Sequence, residues 1–240
     1  MTVGAFFDID GTLYRDSLMI EHFKKLVKYE VFDPYLWHSH VKLTYQMWKK
    51  RRGDYDDYMM ELAELYINSL KGINMSEIEF IADQVINLKG DSVYAYTRER
   101  INWHHRQGHK VFFISGSPQF LVKKMAHKYN ATDYKGTEYV TDADGRFTGT
   151  VIQMWDAESK DKAIKNLVDK YSIELSESYA YGDTNGDMSM LSKVAHPVAI
   201  NPTKELLDNI RQSDYLSSHA LIIVERKDNI YQLNADVVTL

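Results

Sequence analysis

The chain has 240 residues, 44% of them hydrophobic and 26% charged, enough for one large domain or a domain with an insertion. Its formal net charge of −5 argues against a basic field for nucleic acid, and the lack of cysteine excludes disulfides, thiolate metal sites and cysteine nucleophiles. Apolar runs such as "ALIIV" at 220–224 are far short of a membrane span, and "MTVGAFFDID" reaches an acid too soon for a secretory signal, so the expectation is a cytoplasmic protein with neither nucleic acid nor membrane as partner.

In chain order, "VGAFFDI" at 3–9 predicts a short buried strand, apolar and β-prone, ended by Gly11. A helical block follows from about 15 to 87. Met19, Phe23, Leu26 and Val27 share one helix face, and Met59, Leu62, Ala63, Tyr66 and Leu70 another. "SEIE" at 76–79 predicts a capping box, with Phe80, Ile81, Val85 and Ile86 continuing its apolar face. A helix near 91–107 then leads through Gly108 to "KVFFIS", a second buried strand. "SGSP" at 115–118 breaks that strand and opens a helix with Pro118 near its first turn. "TEYVTDADGRFTGTVI" at 137–152 reads as a hairpin turning at Asp144-Gly145. A helix from about Lys160 to Tyr171 precedes "SYAYGD", a third short strand. "HPVAI" at 196–200 is a fourth, followed by a helix, and "ALIIV" a fifth. Strands alternating with helices imply a parallel α/β sheet, with the helical block inserted after its first strand as a candidate cap over a site.

Three strand ends carry unusual polar residues: Asp8 and Asp10; Ser115, Gly116 and Ser117; and Asp183, Asn185 and Asp187 in "GDTNGD". In an open parallel sheet, ligands bind beyond the carboxyl ends of the strands, where these groups converge if the strands are neighbours. Several carboxylates in one pocket need a cation, and an all-oxygen donor set suits Mg²⁺ rather than zinc. Asp8 and Asp183 are the expected carboxylate ligands, with the backbone carbonyl of Asp10 as a third. "SGSP" has the opposite character: hydroxyls and N–H groups at a helix start form an anion site, to which Lys160 adds positive charge. The chemistry that fits is attack on phosphorus by Asp8, with Asp10 as general acid and base. Thr12 is expected to hold Asp10 or neighbouring backbone, and Gly11 to allow the turn that presents both acids.

"DIDGT" at 8–12, "SGS" at 115–117, Lys160 and "GDTNGD" at 182–187 resemble, in that order, the four motifs of the haloacid-dehalogenase-like (HAD) hydrolases. The helical insert and "GTEYVTDADGRFTGTV" resemble the phosphoserine-phosphatase-like branch, subfamily IB. The resemblance implies a Rossmann-like core at 1–14 and 88–240 and a helical cap at 15–87 that sets specificity. It implies a Mg²⁺-dependent phosphatase acting on a small phosphorylated metabolite, phosphoserine or a relative. Asp8 would be the nucleophile and Asp10 the acid/base. Ser115, Gly116 and Lys160 would lie on the phosphate, Asp8, Asp10 and Asp183 on the metal, and Thr12, Asn185 and Asp187 in support. The branch's substrate-amine glutamate has no counterpart in "LYRDSLMI" at 13–20, where Ser17 stands near the expected place and Asp16 and Glu21 are alternatives.

Other readings compete. A phosphotransferase or mutase would use the same motifs with an alcohol as acceptor, and a non-catalytic phospho-acceptor module would also combine acids with Mg²⁺. "SGSP" alone also describes an ordinary helix N-cap. Lys162 and Lys165 compete with Lys160 for the phosphate. His38, His40, His104 and His105 have poor spacing for a metal and read as surface or packing residues. Arg51 and Arg52 read as a solvated face, and Trp37, Tyr45 and Trp48 as cap packing or the lining of a substrate mouth.

Overall fold

The computed structural model describes residues 2–53 and 55–238. Its frame is an eight-stranded sheet: β1 (Gly4–Phe7), β2 (Lys110–Pro118), β3 (Asp133–Thr141), β4 (Phe147–Ile152), β5 (Tyr179–Gly182), β6 (His196–Ile200), β7 (Leu221–Arg226) and β8 (Asn229–Leu233). The spatial order is β4-β3-β2-β1-β5-β6-β7-β8. Strands β3, β2, β1, β5, β6 and β7 are mutually parallel, while β4 and β8 pair antiparallel at the two edges. The chain steps from β1 to one side through β2 and β3, then returns to the other side at β5. That reversal makes the carboxyl ends of β2, β1 and β5 the natural ligand crevice.

Strand β1 is apolar throughout because both of its faces are covered. Phe7 stacks on Tyr181 of β5, ring centroids 4.1 Å apart, in the apolar layer shared with the helical insert. Phe6 stacks on Phe112 of β2 at 5.1 Å, in the opposite layer. That second layer holds Ile164 and Leu167 of α7 (Ala157–Tyr171), Leu191 of α8 (Met188–Leu191) and Leu206 of α9 (Lys204–Gln212).

Between β1 and β2 lie α1 (Leu18–Lys28), a π-helical turn (Trp37–Val41), α2 (Lys42–Lys49), α3 (Tyr55–Leu70), α4 (Met75–Lys89) and α5 (Ala95–Arg106). Chain entry and exit run side by side: Arg15 N–H donates to Ser92 O at 3.1 Å and Tyr94 N–H to Leu13 O at 2.9 Å. The β3–β4 hairpin also grips the insert. Gly72 N–H donates to Phe147 O at 2.8 Å, Phe147 N–H to Ile73 O at 3.0 Å, and Met75 N–H to Gly145 O at 2.9 Å. A polar clamp joins three helices: His22 of α1 meets Tyr66 Oη of α3 at 2.6 Å and Ile78 O of α4 at 3.2 Å. A carbonyl only accepts, so Nε2 donates to Ile78 and Nδ1 accepts from Tyr66.

Several local expectations are corrected. Helix α4 starts at Met75 under an Asn74 cap whose side chain accepts from Ser76 N, so Ser76 is not the cap of a "SEIE" box. Phe80 is exposed, off the buried face of Ile78, Ile81, Val85 and Ile86. Strand β2 continues through "SGSP" to Pro118, with irregular pairing to β3 between Ile114 and Pro118, and α6 (Gln119–Lys128) begins one residue later. Helix α5 starts at Ala95, where Glu225 of β7 accepts from Ala95 N at 3.0 Å and Tyr96 N at 2.9 Å. That capping partner lies 130 residues away, so local patterning does not reveal it. Helix α10 (Asp214–His219) and edge strand β8 complete the fold.

Candidate active site

The three polar strand ends meet. Asp8, immediately after β1, is 5% exposed, and Lys160 on α7 is equally buried. Lys160 Nζ donates to Asp8 Oδ1 at 2.7 Å and to Asp187 Oδ1 at 2.5 Å. The other Asp187 oxygen accepts from Asp183 N at 3.0 Å and Thr184 N at 3.1 Å, so Asp187 is both a counter-charge and a brace for the loop after β5. Thr12 Oγ1 donates to Asp183 Oδ1 at 2.8 Å. The hydroxyl expected on Asp10 or its neighbours therefore holds Asp183 instead.

One carboxylate oxygen from each of Asp8, Asp183 and Asp187 lies within 4.8 Å of the others. Three buried or half-buried carboxylates face one lysine, an arrangement that favours a cation. Burial pushes Asp8 and Asp183 above the ordinary carboxylate range, and repulsion from Asp187 adds to the effect. For Asp8, the Lys160 ammonium offsets part of that rise. Burial alone would lower the Lys160 pKa, but Asp187 and Asp8 outweigh it and hold the ammonium above its usual range. Gly11, at φ +85°, packs against Asp183 so closely that a Cβ would overlap its carboxylate. The oxygen-only donor set fits a hard cation such as Mg²⁺.

Asp10 is set apart from that cluster. Its Oδ1 accepts from Leu18 N, the first residue of α1, at 2.8 Å, and its Oδ2 accepts from the Ser117 hydroxyl. Its carboxylate is therefore turned to the insert and β2; among the described residues, the side-chain cluster suited to a metal comprises Asp8, Asp183 and Asp187. Burial raises Asp10 to about 6, against the Ser117 and Leu18 hydrogen bonds that pull it down. A carboxyl poised there can give and take a proton near neutrality.

The remaining expected residues fall as follows. Ser115 is buried and its hydroxyl accepts from Ser117 N at 3.2 Å. Gly116 packs under Trp155, and its carbonyl accepts from Thr137 Oγ1 at 2.7 Å. Asn185 Oδ1 accepts from Asn209 of α9 at 2.6 Å, so it tethers the loop rather than joining the carboxylates. Lys162 is exposed and pairs with Glu158, on the opposite side of the choice from Lys160. Ser17 caps α1 by accepting from Ile20 N, and Glu21 pairs with Lys24 at 2.8 Å. His104 is buried against Tyr181 and His109, while His38, His40 and His105 are exposed.

Sequence reasoning named Ser117 but gave it no role, and did not single out Tyr55. At the start of α3, Tyr55 contacts Trp48 at 5.3 Å between ring centroids. Burial pushes its phenol up, and the charges of Asp10 and Asp183 add to the shift. A third residue of the "SGS" run was visible in the sequence; the packing of Tyr55 against Trp48 was not. A solvent-open cleft of about 810 Å³ elsewhere in the insert, lined by Phe32, Leu36, Glu61 and Glu64 among others, shares no residue with the strand-end cluster.

The haloacid dehalogenase-like hydrolase family profile matches residues 5–192. The chain is 28% identical over 204 residues to an "inhibition of morphological differentiation protein" of Streptomyces azureus, covering 84% of this chain and 73% of that one. It is 26% identical over 216 residues to phosphoserine phosphatase SerB1 of Mycobacterium tuberculosis, covering 88% and 69%. Among solved structures, a Bordetella pertussis protein of unknown function superposes with TM-score 0.71 at 19% identity over 88% of this chain and 96% of that one. A substrate-bound phosphoserine phosphatase superposes with TM-score 0.61 at 18% identity over 95% of each chain.

Proposed function

The chain belongs to the haloacid dehalogenase-like hydrolases, and on that premise we propose that it is a Mg²⁺-dependent phosphatase hydrolysing a small phosphomonoester through an aspartyl-phosphate on Asp8. The observation that carries this reading is the division of labour between two neighbouring acids. Asp8 is ion-paired with Lys160 inside the carboxylate cluster, while Asp10 is held apart by Leu18 N and Ser117 at a pKa of about 6.

An Asp8 oxygen attacks phosphorus as the bond to the alcohol oxygen breaks, and Asp10 gives that oxygen its proton. Asp10 then takes a proton from water, whose oxygen attacks the same phosphorus, releasing phosphate and restoring the Asp8 carboxylate. Mg²⁺, held by the carboxylates of Asp8 and Asp183 and the Asp10 carbonyl, would supply charge neutralisation at the phosphoryl oxygens. Lys160 adds positive charge, Ser115 and Gly116 lie at the phosphate side, and Asp187, Thr12 and Asn185 keep the loop after β5 in place.

Residues 15–87 form the cap in this reading, over a core of 1–14 and 88–240. The cap carries the choice of substrate. The similarity to SerB1 supports a phosphoserine-like class, but Ser17 is occupied as a helix cap and Glu21 is paired with Lys24. The proposed substrate is therefore a small phosphorylated metabolite, and the proposed location is the cytoplasm. Among the described residues, no helix is long and apolar enough to cross a membrane.

The test is phosphate release from a panel of small phosphomonoesters, with Mg²⁺ or EDTA, beside Asp8→Asn. Release that requires Mg²⁺ and vanishes in a folded Asp8→Asn supports the reading, whereas substantial turnover by that variant removes Asp8 as nucleophile. Added acceptor alcohols separate hydrolysis from transfer.

A further inference from the structure

We propose that the tip of the helical insert, residues 34–53, is a peripheral docking surface for an anionic lipid bilayer. The segment carries Lys42, Lys49, Lys50, Arg51 and Arg52 and no acid, within a chain of net charge −5. Among the described residues none of these five cations takes part in an ion pair, although ion pairs are frequent elsewhere on the surface.

The geometry interleaves these charges with exposed apolar groups. Helix α2 buries none of its residues. At 3.6 residues per turn, Thr44, Tyr45 and Trp48 share its inner side, where Tyr45 and Trp48 meet Tyr58 at 5.3 and 5.6 Å between ring centroids. The outer side then carries two adjacent rows: Leu43 and Met47, and Lys42, Gln46 and Lys50. Leu43 is 71% exposed, Met47 39%, and Tyr35 just before the π-helical turn 77%. The chain folds back after α2, with Arg51 N–H donating to Trp48 O at 2.8 Å and Arg52 N–H to Met47 O at 2.9 Å. That turn brings the Arg52 backbone back against Met47 of the apolar row.

Cations alone, one of them (Lys49) lying 5.7 Å over the Tyr45 ring, would fit any polyanion. The exposed Leu43 and Met47 row between them selects a bilayer, where aliphatic side chains enter the headgroup boundary while Lys and Arg stems extend to lipid phosphates. Such binding needs no spanning segment, so the exclusion of a membrane partner from hydropathy does not reach it.

The experiment is co-sedimentation of the full chain with vesicles of phosphatidylcholine alone or mixed with phosphatidylglycerol. Binding is expected to the mixed vesicles only and to weaken as salt screens the cations. Lys42→Glu/Lys49→Glu/Lys50→Glu should weaken it about a hundredfold, at roughly fivefold per cation lost. Leu43→Ser/Met47→Ser, which keeps every cation, should weaken it by at least about tenfold. Thermal melts coinciding with the parent chain establish that both variants are folded. No binding to either vesicle, equal binding to both, binding retained in the triple-charge variant, or indifference to the Leu43/Met47 change would each overturn the proposal; the last would mark a face for polyanions in general.

Discussion

Asp10 shows how far a single residue's role depends on its partners. Burial raises it to about 6, while the Ser117 hydrogen bond stabilises its charged form. Ser117→Ala removes that stabilisation, so the alkaline limb of the kcat/KM profile, where Asp10 must still carry the proton it gives to the leaving oxygen, should move to higher pH. A limb that stays in place would detach Ser117 from Asp10. Asp10→Asn should slow both steps by about 10²–10⁴, the usual size of general acid–base catalysis, measured as steady-state turnover together with phospho-enzyme decay. Gly11 is the other residue whose identity is decided by an approach: at φ +85° and against the Asp183 carboxylate, it has no room for a methyl group. Gly11→Ala should displace Asp183 and raise the Mg²⁺ concentration for half-maximal activity by about tenfold or more, which a metal titration of activity reads directly.

At the scale of elements, the insert is held by contacts that join helices distant in sequence. His22 sits fully buried among α1, α3 and α4, and burial lowers its pKa to about 3. The unfolded chain has an ordinary histidine near 6.5, so between about pH 3 and 6.5 it binds more protons than the folded one. The stabilisation from this neutral imidazole is therefore fully present above about pH 6.5 and lost as pH falls. By pH 5 the loss reaches about 2 kcal/mol. His22→Gln should be less stable than the parent at pH 7.5 but show a flatter fall in thermal midpoint down to pH 5; parallel falls would contradict the buried neutral assignment. The β3–β4 hairpin is a second fastening, and Phe147 is both its backbone partner to Gly72 and Ile73 and a buried side chain, 3% exposed. Phe147→Ala should cost about 3–5 kcal/mol in denaturant unfolding.

For the whole molecule, the central tension is a set of carboxylates held above their ordinary range at the switch point of the sheet. A raised carboxylate pKa means that the folded state holds protons the unfolded state releases, so without a cation this cluster loses stability as pH rises. Mg²⁺ bound there, as proposed, would compete with those protons and stabilise the folded state by mass action. The thermal midpoint should therefore rise with added Mg²⁺, and rise more at pH 8 than at pH 5.5. An equal shift at both would mean that the ion binds away from these acids. EDTA should remove both the shift and the activity.

The sequence by itself determined the parallel α/β class, the helical insert after the first strand, the hairpin at Asp144-Gly145 and the residues that gather at the strand ends. These features are written in local code: hydrophobic period, turn residues, and polar groups interrupting apolar runs. It also placed Lys160 ahead of Lys162 as the phosphate lysine; the structure buries Lys160 in ion pairs with Asp8 and Asp187. Only the tertiary structure decided which oxygen meets which donor. Thr12 reaches Asp183 across 171 residues, Ser117 reaches Asp10 across 107, and Glu225 caps α5 across 130. Pairings of that range follow from strand order and register, which a local pattern does not encode. The same holds for the exposed face of α2, whose apolar and basic rows take on meaning only once Tyr45 and Trp48 are seen to fill its other side.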